Sequence, residues 1–146
     1  MIRICFVCLG NICRSPMAEV MMKSFLKEKG EGANYYITSR GTSSEEEGND
    51  IYPPAKKILD LHGIEYDKHF ATKIVKEDYN HFDYFVCMEK SNIDSLFRIF
   101  QIKDYSKIIL LLDRDIRDPW YTGIFEITYQ DIYKGIRSLY KKLSMW

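Results

Sequence analysis

The 146-residue sequence has no surplus of charge: Lys plus Arg and Asp plus Glu each number 21. Without a global field there is no general attraction to nucleic acid or to an acidic membrane surface, so any electropositive site has to be local. No apolar run approaches the roughly 18 residues that a membrane-spanning helix needs. The opening Met1-Ile2-Arg3-Ile4-Cys5-Phe6-Val7-Cys8-Leu9-Gly10 is apolar but carries neither a basic leader nor a small-residue cleavage site. It does not read as a secretory signal, and the expected location is the cytoplasm. Cysteine is scarce: Cys5, Cys8, Cys13 and Cys87 read as reduced thiols, not as a disulfide framework. Cys5 and Cys8 formally make a C-x-x-C, but on a strand positions i and i+3 face opposite sides, which argues against a zinc or thioredoxin-type pair. The three histidines, His62, His69 and His81, lack ligand spacing, so neither metal nor cofactor is expected. Internal repeats and low-complexity tracts are absent.

What is present suits one domain over residues 1–146 with a sizeable core. Residues 2–7 are β-branched and apolar, the composition of a buried parallel strand. After a tight turn, Ser15 is expected as N-cap and Pro16 as the first helical residue. Ala18, Met21, Met22, Phe25 and Leu26 then recur at helical spacing up to Gly30. Further strands are expected at 35–38, 83–88 and 108–112, and helices at 54–62 and 92–100. A last helix should bury Ile132, Ile136, Leu139, Tyr140 and Leu143, while 39–49 and 113–123 read as loops. Strands separated by helices predict an α/β fold: one three-layer domain whose four-stranded parallel sheet is flanked by helices. Ligands of such sheets bind beyond the carboxyl ends of the strands, and the first strand ends at Cys8.

Cys8-Leu9-Gly10-Asn11-Ile12-Cys13-Arg14-Ser15 is a C-x5-R-S sequence between a predicted strand and a predicted helix. Gly10 and Asn11 tolerate left-handed backbone angles, which a loop needs if successive N–H groups are to converge on one anion. The helix start adds free N–H groups and its positive dipole end. Arg14 can donate two parallel hydrogen bonds to phosphate oxygens, a geometry that lysine lacks. The same positive environment favours a nucleophilic thiolate at Cys8. Cys5 and Cys87, in contrast, read as small buried apolar residues.

Val7-Cys8-Leu9-Gly10-Asn11-Ile12-Cys13-Arg14-Ser15-Pro16-Met17-Ala18-Glu19 resembles the signature of the low-molecular-weight protein tyrosine phosphatases. The likeness continues through Ser39-Arg40-Gly41-Thr42, His62-Gly63-Ile64, Phe82-Asp83-Tyr84, Cys87-Met88, Ser91-Asn92 and Asp118-Pro119-Trp120. It implies hydrolysis of phosphotyrosine through a phosphocysteine on Cys8, with Arg14 binding phosphate and Asp118 serving as general acid and then base. It also selects Asp118 over Asp113 and Asp115. The remaining loop residues Leu9, Gly10, Asn11, Ile12, Cys13 and Ser15 would line the substrate site. Trp120 and Tyr121 would form its aromatic rim, and Asn11, Ser15, Ser39 and His69 would brace the loop. Ser15 would also assist the departing thiolate. Substrates implied are a phosphotyrosine-containing protein or a small aryl phosphate, handled by a monomer or weak homodimer. Family members can join the thiols matching Cys8 and Cys13 on oxidation; Cys13 reads equally well as a small loop residue.

Several positions depart from the family pattern. Arg40 stands where a small residue is common, and Glu45, Glu46 and Glu47 occupy a rim where an aromatic often sits. The stretch before Pro54 lacks the usual acidic-then-arginine pair. A rival substrate is phosphoarginine, preferred by relatives with threonine at the position of Ile12; isoleucine offers no hydroxyl. A rival reaction is arsenate reduction, which needs a downstream cysteine pair where this chain has Cys87 alone. A non-catalytic phosphate-binding module is the third reading.

Overall fold

Burial on both faces makes Ile2–Cys8 the central strand, β1: Ile4 through Val7 are wholly inaccessible and Cys8 nearly so. In the computed structural model, which describes residues 1–145, β1 lies between β2 (Tyr35–Gly41) and β3 (Tyr84–Cys87). A short β4 (Ile108–Leu110) pairs with β3, and the order β2-β1-β3-β4 is parallel throughout. Trp146, the final residue of the expected 1–146 domain, lies outside the described residues.

Alternation along β1 sends Cys5 and Val7 into one core and Ile4, Phe6 and Cys8 into another, so the C-x-x-C pair does straddle the sheet. The first core joins Phe85 to Phe82, Leu96 and Phe100, under α3 (Lys90–Phe100). The second, larger core is covered by α1 (Arg14–Glu28), α2 (Pro53–Leu61) and α5 (Phe125–Ser144), through Met17, Leu26, Leu59, Ile132 and Ile136. The three layers and the four parallel strands are those expected. Among the described residues no helix is long and apolar enough to cross a membrane.

Several local expectations need correction. Cys13, not Ser15, is the residue preceding α1, and no side chain caps that end. Ser15 sits inside the first turn because its hydroxyl is drawn into the loop, 2.9 Å from Cys8 Sγ. Residues 39–41 continue β2 instead of opening a loop, since Ile37, Ser39 and Gly41 alternate inward against β1. The 113–123 loop contains a one-turn helix, α4 (Pro119–Thr122), and 3-10 turns occur at Gly32–Asn34 and Lys76–His81. α3 starts earlier than expected because Asn92 lies within its first turn, where Oδ1 accepts from Glu89 N at 3.0 Å. Phe25 and Tyr140 are only partly buried; their rings meet edge-on at 5.2 Å and close the seam between α1 and α5.

Gly135 brings α5 against the chain after β4: a Cβ there would fall 2.5 Å from Leu111 Cγ and 3.1 Å from Leu111 O. Backbone bonds from Leu111 N to Cys87 O and from Ile116 N to Met88 O, both 2.9 Å, hold the chain after β4 against the carboxyl end of β3.

Candidate active site

Residues 8–13 turn sharply between β1 and α1. Of the two residues expected to permit a left-handed angle, Asn11 adopts it, with φ of 59°, and Gly10 does not. That turn aims the Asn11 amide at the cysteine, donating to Cys8 Sγ at 3.3 Å.

The Asn11 side chain is fully buried and organises the loop. Its Nδ2 donates to Ser15 Oγ at 2.8 Å and to Ser39 Oγ at 3.1 Å, while Oδ1 accepts from Thr72 N at 3.0 Å. Since Ser15 Oγ accepts from Asn11, its own proton is available to the Cys8 sulfur. Ser39 passes its proton-donor capacity outward, to Glu19 Oε1 at 2.6 Å. His69 Nε2 lies 2.7 Å from the Asn11 carbonyl oxygen. A carbonyl can only accept, so Nε2 carries the hydrogen. Asp50 in turn holds the His69 amide at 3.0 Å.

Arg14 is the largest fully buried side chain. Nη1 donates to Ile116 O at 2.8 Å, and Nη2 faces Glu89 Oε1 at 3.3 Å and Asp118 Oδ2 at 3.4 Å. Burial works against its charge, but the Cys8 sulfur, Glu89 and Asp118 outweigh burial and hold the guanidinium ionised. Three bonds from five N–H donors leave part of the fork for an anion.

Asp118 precedes Pro119 and is extended, as a residue before proline should be. Its Oδ1 caps α4 by accepting from Trp120 N at 3.0 Å, which leaves Oδ2 directed at Arg14. Asp115 is used elsewhere, on Lys90 N at 2.9 Å. A cavity of about 90 Å³ is lined by residues 8–14, by Asp118, Trp120 and Tyr121, and by Glu45 and Glu46. Trp120 and Tyr121 are exposed, and the Trp120 ring rests on Tyr52.

The other three thiols lie in surroundings that disfavour their ionised form. Cys13 is pushed up to about 12, chiefly by burial and then by Cys8 and Asp118. Burial likewise pushes Cys5 and Cys87 well up. His62 stacks on Tyr129 with centroids 3.7 Å apart and meets Glu126 at 2.8 Å, away from the cavity, and His81 is exposed.

The structure thus gathers Cys8, Arg14 and Asp118 in one cavity, with Asn11, Ser15, Ser39 and His69 in one hydrogen-bond network around its loop. Sequence reasoning missed Glu89, Glu19, Thr72 and Tyr52. For Glu89 a signal existed: it follows β3 at the same carboxyl edge of the sheet that Cys8 occupies.

Comparison with known proteins accords with this geometry. The family model described as "Low molecular weight phosphotyrosine protein phosphatase" matches residues 3–145. The Bacillus subtilis low molecular weight protein-tyrosine-phosphatase YfkJ is 38% identical over 146 residues, 95% of this chain and 94% of that protein. Its crystal structure has a TM-score of 0.96, covering 99% of this chain and 96% of the other. The Streptococcus pyogenes low molecular weight protein tyrosine phosphatase SP-PTP has a TM-score of 0.91 at 42% identity, covering 98% and 93% of the two chains. A Drosophila arginine phosphatase superposes with a TM-score of 0.86 at 28% identity, covering 96% of each chain. The sheet order, the loop after β1 and these whole-length matches agree, and the chain belongs to the low molecular weight phosphotyrosine protein phosphatases, a family of hydrolases.

Proposed function

We propose that this chain hydrolyses phosphotyrosine monoesters through a phosphocysteine on Cys8. The observation that carries the reading is the meeting of Cys8, Arg14 and Asp118 in one cavity with aromatic walls. Loop amides and the Arg14 fork hold the phosphoryl oxygens, which orients phosphorus towards the sulfur. The Cys8 thiolate attacks in line, the bond from phosphorus to the phenolic oxygen breaks, and Asp118 gives that oxygen its proton. Water then attacks the phosphocysteine, Asp118 takes a water proton, and the phosphorus–sulfur bond breaks. Ser15, 2.9 Å from the sulfur, stabilises the thiolate as it leaves. Trp120 and Tyr121 supply flat surfaces for the phenyl ring. Ser39 and His69, through Asn11, keep the loop in its anion-binding shape.

Hydrolysis of phenyl phosphate by the wild type and its loss in Cys8→Ser is the test. Equal turnover by the two proteins would overturn the proposal.

Phosphoarginine is the second reading, favoured by the acidic lining from Glu45 and Glu46 and by the likeness to an arginine phosphatase. Against it, Ile12 brings no hydroxyl to the cavity. Turnover of both substrates by wild type and Ile12→Thr decides between them; faster wild-type hydrolysis of phosphoarginine reverses the choice.

A further inference from the structure

A cavity built to receive a dianionic phosphoryl group is bordered by two carboxylates that its chemistry does not use. Arg14 is the one cation among its lining residues, buried and already facing Glu89 and Asp118. Glu45 and Glu46 also line the cavity, and among the described residues neither forms an ion pair. Like charges on the approach path of a dianion oppose its entry unless the substrate brings compensating charge.

Both side chains spring from backbone that is tied to the phosphate loop. Thr42 N donates to Cys8 O at 2.9 Å and Ser43 N to Leu9 O at 3.0 Å. Glu47, next in the turn, is spent on the Lys73 amide at 2.9 Å and so anchors the segment from its far end. Glu46 accepts from Asn49 Nδ2 at 2.7 Å, a neutral donor that orients the carboxylate without cancelling its charge. Its stem approaches Gly10 closely enough that a Cβ there would lie 3.5 Å from Glu46 Cγ. Glu45 is exposed, and its amide is held by Ser43 Oγ at 3.1 Å. Glu46 therefore holds its charge in a set place beside the loop, and Glu45 carries a second charge into solvent from an anchored backbone.

From this placement we infer that Glu45 and Glu46 make the cleft select phosphotyrosine flanked by lysine or arginine. The inference rests on the phosphotyrosine reading above and names the substrate class within it. The loop amides and Arg14 neutralise the phosphoryl group in the depth of the cavity. A neighbouring residue of the substrate chain is left at the border, where a long cationic side chain meets both carboxylates and an acidic one is repelled by both. Exposed pairs are individually weak, so the effect is a preference of about 5–20-fold between basic and acidic flanks, falling as salt screens it.

The experiment measures kcat/KM on three phosphotyrosine peptides that differ only in flanking Lys, Ser or Asp, with phenyl phosphate alongside. For the wild type the order Lys, Ser, Asp is expected, compressed by high salt. In Glu45→Gln/Glu46→Gln the three peptides converge to within about twofold, and phenyl phosphate turnover rises because repulsion of the dianion is relieved. In Glu45→Lys/Glu46→Lys the order inverts. A wild type indifferent to flanking charge, or an order that survives both double variants, overturns the inference while phenyl phosphate hydrolysis still upholds the phosphatase reading. A wild type that leaves phenyl phosphate and all three peptides intact overturns both.

Discussion

The Tyr52 ring lies 4.7 Å from the Trp120 ring, centroid to centroid, so the start of α2 supports the aromatic wall that follows Asp118. Tyr52 also ties into the phosphate loop, its amide donating to Ile12 O at 2.9 Å. Such ring pairs contribute roughly 0.5–1.5 kcal/mol beyond the area they bury. Tyr52→Ala should therefore lower kcat/KM on phenyl phosphate by about 2–10-fold, while Tyr52→Phe, which keeps the ring, stays close to wild type. Equal losses in both variants would show that the hydroxyl, not the ring contact, matters.

Asp118→Asn tests the proton donation proposed for Asp118 apart from phosphate binding. Without an acid, kcat on phenyl phosphate should fall by about 10²–10⁴-fold. 4-Nitrophenyl phosphate, whose leaving group departs with little help from a proton, should lose much less. The ratio of the two losses is the readout, and a uniform loss would assign Asp118 to binding through its 3.4 Å contact with Arg14.

Asn11 holds a left-handed angle and three side-chain partners at once. Asn11→Ala keeps a Cβ at that angle and leaves the Thr72 amide without an acceptor, so urea unfolding should show a loss of about 2–4 kcal/mol. Asn11→Gly loses the same bonds but relieves the backbone, and should recover about 1 kcal/mol of that. Indistinguishable variants would mean that the φ of 59° carries little strain.

Two glycines should respond differently. At Gly41 a Cβ would lie 2.8 Å from Leu9 O and 3.1 Å from Asn11 Cβ, so the atoms that must yield belong to the phosphate loop itself. Gly41→Ala should lower stability and cut kcat/KM about 10-fold or more, because small displacements of a positioned group are expensive in rate. Gly135→Ala presses on Leu111 and should lower stability by about 1–3 kcal/mol with little change in kcat/KM. A fully active Gly41→Ala would contradict the packing argument.

Asp50 links acid stability to the loop. Burial raises its pKa, but hydrogen bonds from the Lys56 ammonium and from the His69 and Ile51 amides outweigh burial and bring the carboxyl down to about 2. A carboxyl held below its unfolded value stabilises the fold above that value and loses the contribution as pH falls through the folded one. Between about pH 4 and pH 2 the wild type should therefore lose on the order of 1 kcal/mol through this group, allowing for its partial exposure. Asp50→Asn should flatten that part of the stability–pH curve, measured by urea unfolding at each pH. An unchanged slope would remove Asp50 from the account.

Much of the site was legible because it is contiguous. The octet from Cys8 to Ser15 carries the cysteine, the guanidinium and the loop in one stretch, and the β-branched run before it made β1 readable. Errors came where a long-range partner overrode a local preference. Ser15 has the composition of a cap, yet Cys8 and Asn11 claim its hydroxyl. Residues 39–41 look like loop, yet pairing with β1 extends the strand through them.

Chain composition and periodicity by themselves determined the α/β class, the parallel sheet and the phosphate loop, since each depends on neighbours in sequence. Tertiary structure alone decided which distant groups serve that loop: Ser39 lies 28 positions from Asn11, Glu89 lies 75 from Arg14 and Asp118 lies 104 from it. These groups converge because parallel strands deliver their carboxyl ends to one edge of the sheet, and side-chain periodicity records which face a residue takes, not which partner it will find there.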